Sequence, residues 1–352
     1  MNYCATYLGD EGFGTYEVTW SDPPVFRRVS KAPDVLLVPG FVDVHIHGGW
    51  GLDFMTASTE QITELSMRLL KEGYESWLPT TVTASADAIK AAIHRLPDHP
   101  MIAGFHLEGP FISSDFPGAQ PAEFIVTPDP VESEWDEILD HPKLRYVTLA
   151  PELPHALELT SRLMKRGVIV SMGHSSATYE QARRGFEFGA SHTTHTFNAM
   201  RPFHHREAGL VGYALMNDAV QTELIYDRLH VAHDAAALLF KFKGPDRIIA
   251  VSDSSAATRL DPGQTIEMWG HKAFVGNGDV RLENGTLAGS AITLLDAFRN
   301  IASDFGEEAA IRTCSVNPRA ALRMKEFPHV FVELDRRYGL RGIRVHGQKI
   351  DL

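Results

Sequence analysis

Six side chains in this sequence are of types that hold a metal ion or move a proton, and each stands where an apolar run gives way to a loop. His45 and His47 close the run 34–44 and are followed at once by Gly48 and Gly49. In a strand, residues i and i+2 share a face with Cα atoms about 6–7 Å apart, so both imidazoles can converge on one ion. Glu108 ends His106-Leu107-Glu108 ahead of Gly109-Pro110, after the apolar Ile102, Ala103 and Phe105. A carboxylate in such a place is costly unless it is paired or metal-bound. His174 follows Val168-Ile169-Val170-Ser171-Met172-Gly173, His195 lies in Ser191-His192-Thr193-Thr194-His195-Thr196, and Asp253 ends Arg247-Ile248-Ile249-Ala250-Val251-Ser252.

Singly, each has a plainer reading. His45 and His47 read as a surface pair, Glu108 as an exposed residue opening a turn, His174 and His195 as hydrogen-bonded rim residues, and Asp253 as a helix N-cap. His106 either supports Glu108 or fills the core. As a set, imidazole and carboxylate donors without thiolates suit zinc, divalent iron or manganese.

Such a set needs elements that bring distant positions together. The run 34–44 is nearly continuous in apolar residues, and 60–73 then places Ile62, Leu65, Leu69 and Leu70 at helical spacing before Gly73. Strand-like runs at 77–82, 101–107, 144–149, 168–172, 190–196, 222–225 and 247–251 follow, with helical patterns at 86–96, 154–166 and 178–189. Eight such runs alternating with helices predict an α/β fold with a parallel sheet, which at this length closes as a (β/α)8 TIM-like barrel. There the strand C-termini form one face, where catalytic residues gather. Residues 1–36 lack helical periodicity, and 330–334 and 340–350 look like strands. Both termini are therefore expected to form a small β-domain (1–36 and 320–352) beside a barrel at 37–319.

Composition narrows the partners. Lys plus Arg total 33 and Asp plus Glu 45, a net charge of −12, which argues against nucleic acid, since phosphate binding needs a concentrated basic surface. No apolar run approaches the roughly 20 residues that cross a bilayer, so no membrane partner is expected. Residues 1–10 show no secretory pattern, and two cysteines, Cys4 and Cys314, cannot build a disulfide framework, so reduced thiols in a cytoplasmic protein are expected.

The motifs resemble those of the amidohydrolase superfamily, and within it the N-acetylglucosamine-6-phosphate deacetylases. The resemblance runs in order through Pro39-Gly40-Phe41-Val42-Asp43-Val44-His45-Ile46-His47-Gly48, His106-Leu107-Glu108-Gly109-Pro110-Phe111, Gly173-His174-Ser175 and His195-Thr196-Phe197-Asn198-Ala199-Met200. It continues through Leu229-His230-Val231, Val251-Ser252-Asp253 and Gly285-Thr286-Leu287-Ala288-Gly289-Ser290, covering about residues 36–320. The His-x-His start is common across the superfamily; Glu-Gly-Pro with His-x-x-Asn-Ala-Met is far more specific to the deacetylases.

The resemblance implies that Glu108, His174 and His195 hold the principal metal, zinc or iron. It implies a second site at His45 and His47, with Glu108 shared; family members without that pair use one ion. Asp253 would be the general base and acid, while Asn198, Ala199, Arg206 and His230 would contact the sugar phosphate and Leu287 would join the substrate pocket. Hydantoinases and dihydroorotases bridge their metals with a lysine after the fourth strand, and Thr148-Leu149-Ala150-Pro151-Glu152 has none. One departure bears on the sugar: Pro117-Gly118-Ala119-Gln120 carries Gln120 where the family commonly has a sugar-contacting histidine. The implied function is hydrolysis of N-acetylglucosamine 6-phosphate to glucosamine 6-phosphate and acetate, in amino-sugar catabolism or cell-wall recycling, by a homodimer. The alternatives are an N-acetylgalactosamine 6-phosphate deacetylase, another N-acyl amidohydrolase, or a sugar-phosphate-binding protein without activity.

Overall fold

The computed structural model describes residues 3–131, 133–324 and 327–351. The fold is mixed α/β. Eight parallel strands carry the centre, numbered here in chain order: β1 (Phe41–Ile46), β2 (Tyr74–Pro79), β3 (Phe105–Glu108), β4 (Leu144–Leu149), β5 (Ile169–Met172), β6 (His192–Thr193), β7 (Gln221–Leu224) and β8 (Ile248–Ala250). Strands β3 to β8 form one six-stranded parallel sheet in sequence order, and β1 pairs in parallel with β2. Isolated parallel bridges join these sheets on both sides, Thr80 with His106 next to β3 and Ile46 with Ser254 beyond β8. Every residue of β1 and β2 is buried, as expected of strands covered on both faces. Val44, Leu78, Tyr146, Ile225, Ile249 and Val251, in the strands or one residue beyond them, pack as a cluster of their own.

The helices follow from capping and amphipathic spacing. Thr59–Lys71 starts at Ser58, whose side chain and that of Gln61 bond each other's backbone N–H groups, and it buries Ile62, Leu65 and Leu69. Tyr179–Glu187 starts the same way at Thr178 with Gln181. Ala86–His94 and Ala156–Lys165 occupy the other expected helical stretches, and Gly209–Met216, His233–Lys243 and Leu294–Phe305 complete the major helices that follow. Among the described residues no helix is long and apolar enough to cross a membrane.

The apolar run 34–44 divides at Gly40. Its first part, Val35–Pro39, joins a seven-stranded sheet with Tyr3–Gly9, Gly12–Thr19, Val25–Arg28, Val330–Leu334, Leu340–Val345 and Gln348–Ile350. Its second part is β1. A Cβ on Gly40 would lie 2.6 Å from the Glu75 Cβ and 2.8 Å from the Val330 Cβ, so only glycine lets the chain pass between the two sheets. A further antiparallel meander, Thr265–Met268, His271–Val275 and Val280–Leu282, lies between β8 and the helix Leu294–Phe305. No element was expected there.

Candidate metal centre

The donors gather where the parallel strands end. His45 lies in β1 with His47 just beyond it, Glu108 is the last residue of β3, His174 and His195 each stand two residues after β5 and β6, and Asp253 three after β8. His174, His195 and Asp253 have φ of 45°, 30° and 49°. Left-handed backbone at non-glycine residues costs about 1–2 kcal/mol each and persists where surrounding structure holds it. Here it makes the sharp turn at each strand end.

The spacing is that of donors around an ion. Glu108 Oε1 lies 3.2 Å from His45 Nε2, 3.2 Å from His174 Nε2 and 3.1 Å from His195 Nε2, while Oε2 lies 3.2 Å from His47 Nε2. Asp253 Oδ1 is 3.5 Å from His45 Nε2 and 3.3 Å from His47 Nε2. The donors form two groups, His45 with His47 and Asp253, and Glu108 with His174 and His195. Within the groups the Nε2 atoms approach each other to 3.2 Å (His45, His47) and 3.0 Å (His174, His195).

The far side of each ring decides what those nitrogens can be. His47 Nδ1 is 3.2 Å from the Thr80 carbonyl and His174 Nδ1 is 3.0 Å from the Phe116 carbonyl. Carbonyls only accept, so both protons sit on Nδ1 and both neutral rings turn a bare Nε2 inward. Each bare nitrogen lies 3.0–3.2 Å from the Nε2 of a second imidazole and offers its lone pair to a proton or a cation there. Ligands bonded at about 2.0–2.1 Å to a tetrahedral ion stand about 3.3 Å apart. The residues fit a divalent metal.

Charge tells the same story. Burial pushes His47 down, but Asp253 and Glu108 outweigh it and hold the imidazole at about 9. His45 is likewise held well above its ordinary value by Glu108 and Asp253 against the pull of burial. Burial alone would raise Glu108; His45, His174 and His195 instead bring it well below the usual carboxylate range. The cluster draws in positive charge, as protons or as metal. His106 differs: burial holds it well below its ordinary value, and it bonds the Val44 carbonyl at 3.0 Å and Thr148 Oγ1 at 2.8 Å. It is a neutral ring packed edge-on against His45, with the centroids 4.7 Å apart.

The sequence profile of the amidohydrolase family matches residues 36–326. The chain belongs to the amidohydrolase family. This amidohydrolase is 40% identical over 273 residues to the N-acetylglucosamine-6-phosphate deacetylase of Lysinibacillus sphaericus, covering 75% of this chain and 70% of that one. It is 34% identical over 308 residues to the N-acetylgalactosamine-6-phosphate deacetylase of Escherichia coli O157:H7, covering 85% and 81%. Its fold superposes on the crystal structure of the N-acetylglucosamine-6-phosphate deacetylase of Thermotoga maritima with a TM-score of 0.90 at 30% identity, over 99% of this chain and 98% of that one.

In the amidohydrolase, Gln120, Asn198, Ala199, His230 and Leu287 line one cavity together with His47, Glu108, His174, His195 and Asp253. His45 lies fully buried behind it. Arg206 is not among the lining residues; it stands exposed on the loop after Met200, with Nη1 3.1 Å from His205 Nε2. Gln120 is spent on the protein: its Nε2 donates to Glu108 Oε2 at 2.6 Å and its Oε1 accepts from Thr83 N at 2.7 Å. It thus steadies the Glu108 carboxylate among the clustered donors. His230 Nδ1 is 2.6 Å from Asp227 Oδ2, which orients the ring.

Two residues of the amidohydrolase site escaped the sequence reading. Trp269, at a turn of the unexpected meander, lines the cavity with its ring centroid 5.1 Å from that of His47, and its Nε1 donates to Asp53 Oδ2 at 2.9 Å. Nothing in its surroundings marks it. Glu223 lies buried in β7, and its position in Thr222-Glu223-Leu224-Ile225 carries the same signal that singled out Glu108, a carboxylate in an apolar strand.

Proposed function

We propose that this amidohydrolase removes the acetyl group from N-acetylglucosamine 6-phosphate, giving glucosamine 6-phosphate and acetate in amino-sugar catabolism or cell-wall recycling. The observation that carries the reading is the meeting of both donor groups and Asp253 in one cavity with Asn198, Ala199 and His230. A sugar-phosphate binder has no use for a carboxylate aimed at a metal centre. The eight parallel strands, bridged on both sides, support a closed (β/α)8 barrel; the place of Val35–Pro39 in the seven-stranded sheet moves its start from the expected residue 37 to Phe41, with the segment before Gly40 and 330–350 in the small β-domain.

Glu108, His174 and His195 would hold one ion, zinc or iron, and His45, His47 and Asp253 a second. Such an ion supplies a water of lowered pKa and polarises the acyl oxygen. Asp253 accepts the proton of that water as the new C–O bond forms, then passes it to the amide nitrogen as the C–N bond breaks, and so ends as the carboxylate it began. The backbone N–H of Ala199 and the guanidinium of Arg206 bind the phosphate, while the Asn198 N–H closes the turn on the His195 carbonyl at 2.9 Å. Arg206 does so from an exposed loop, in a homodimer of the kind in which family members share pocket residues between subunits. The free thiols of Cys4 and Cys314 support a reducing compartment, the cytoplasm.

A second reading, deacetylation of the galacto epimer, is favoured by Gln120, whose amide is committed to Glu108 and Thr83. Acetate release from N-acetylated hexosamines, with and without 6-phosphate, after chelation and metal add-back, decides among these. The expected result is metal-dependent turnover of the phosphorylated gluco substrate, with Arg206→Ala raising KM only for phosphorylated sugars. Activity that survives complete metal removal overturns the mechanism, and preference for the galacto sugar overturns the assignment.

A further inference from the structure

One buried carboxylate beneath the donors has no part in the chemistry above. Both oxygens of Glu223 are engaged. Oε1 accepts the Tyr146 hydroxyl at 2.5 Å, and Oε2 lies 3.3 Å from His45 Nδ1 and 3.1 Å from the backbone N of His195. Its main-chain oxygen accepts from Thr196 N at 2.9 Å. Glu223 therefore touches one ligand ring in the group of His45, His47 and Asp253, and the backbone of a ligand in the group of Glu108, His174 and His195.

We propose that Glu223 is a positioning residue that fixes the tautomer of His45 and the strand-end turn of His195, so that one carboxylate sets the aim of both metal-binding groups. An ionised carboxylate only accepts hydrogen bonds. Facing Nδ1, it places the His45 proton there and leaves Nε2 bare toward His47, Asp253 and Glu108. Among the described residues no carbonyl does this for His45, whereas Thr80 and Phe116 do it for His47 and His174. The bond to His195 N stabilises a turn whose φ of 30° is unfavourable for a side-chain-bearing residue. Tyr146 in turn holds Glu223 in register. Partners of this kind typically change metal affinity 10–100-fold when removed.

The inference rests on the reading that His45, His47 and Asp253 hold an ion. The test compares the full-length wild type with Glu223→Gln and Glu223→Leu. Each is stripped and titrated with zinc, with metal per chain counted by elemental analysis and the cobalt-loaded forms examined by visible spectroscopy. In Glu223→Gln the amide oxygen can still accept from His45 and His195 while its NH2 faces Tyr146, so the second ion should bind about tenfold more weakly. In Glu223→Leu the loss should approach about 100-fold, the first ion should weaken less because Glu223 touches only the backbone of His195 in that group, and the cobalt bands should alter. A role confined to packing would lower the unfolding midpoint and leave the ratio of the two affinities unchanged.

An unchanged ratio and unchanged cobalt bands in Glu223→Gln overturn the proposal, even if Glu223→Leu fails to fold. A wild-type chain that never takes up a second ion overturns the underlying reading as well, a result distinct from equal binding by wild type and variant.

Discussion

Asp253 is the residue on which turnover is expected to depend most sharply. Its Oδ1 faces His45 and His47 at 3.5 and 3.3 Å, and its backbone N bonds the His45 carbonyl at 3.0 Å. Asp253→Asn keeps the shape and loses the proton acceptor. It should retain the ion on Glu108, His174 and His195 while acetate release falls about 10²–10⁴-fold, the usual worth of a general acid–base; wild-type turnover in that variant would remove Asp253 from the role. A second residue governs acid stability. Burial pushes His192 down to about 4, against about 6.5 in an unfolded chain. Between about 6.5 and 4 the unfolded chain binds a proton the folded one refuses, so stability falls as pH falls through that window. At pH 5 the penalty is on the order of 2 kcal/mol. Urea unfolding of His192→Gln should therefore show a shallower loss between pH 7.5 and pH 5 than the wild type.

At the scale of elements, the metal centre depends on how the strands end. Gly109 follows Glu108 with φ of 69°, and a Cβ there would meet Thr83 Oγ1 at 2.1 Å. Gly109→Ala must move Glu108, Thr83 or both, so it should lower stability by at least about 2 kcal/mol and weaken metal uptake together; unchanged zinc affinity in that variant would show the turn to be tolerant. The sequence disclosed most of these elements because buried parallel strands read as apolar runs. β4 and Val330–Leu334 fall on the expected residues, and the capped helices lie within a few residues of their periodic stretches. The donors were visible for the same reason, as polar residues ending apolar runs. The meander escaped because its strands are short, half exposed and interrupted by turn residues, and Trp269 escaped with it. The division of 34–44 at Gly40 was hidden because both halves are apolar, and only the spatial neighbours Glu75 and Val330 require it. Arg206 matched by motif, yet its exposed place on the loop depends on tertiary structure that spacing does not encode.

At the scale of the whole molecule, the donors come from strands separated by most of the chain, so an ion on Glu108, His174 and His195 would tie β3, β5 and β6 together, and one on His45, His47 and Asp253 would tie β1 to the segment after β8. Any ligand that binds only the folded state adds stability as the logarithm of its excess over Kd, about 2.7 kcal/mol at a hundredfold excess. Chelation should therefore lower the thermal midpoint by several degrees, and zinc or iron should restore it; a midpoint indifferent to both would mean that the groups hold no ion. The seven-stranded sheet adds a mechanical corollary. Val35–Pro39 is hydrogen-bonded to both Tyr3–Gly9 and Val330–Leu334, and one glycine later the same backbone becomes the strand bearing His45 and His47. Tyr3–Gly9 and Val330–Leu334 thus clamp one arm of a lever whose other arm carries His45 and leads into His47, and loosening either flanking strand is an intervention on that histidine pair.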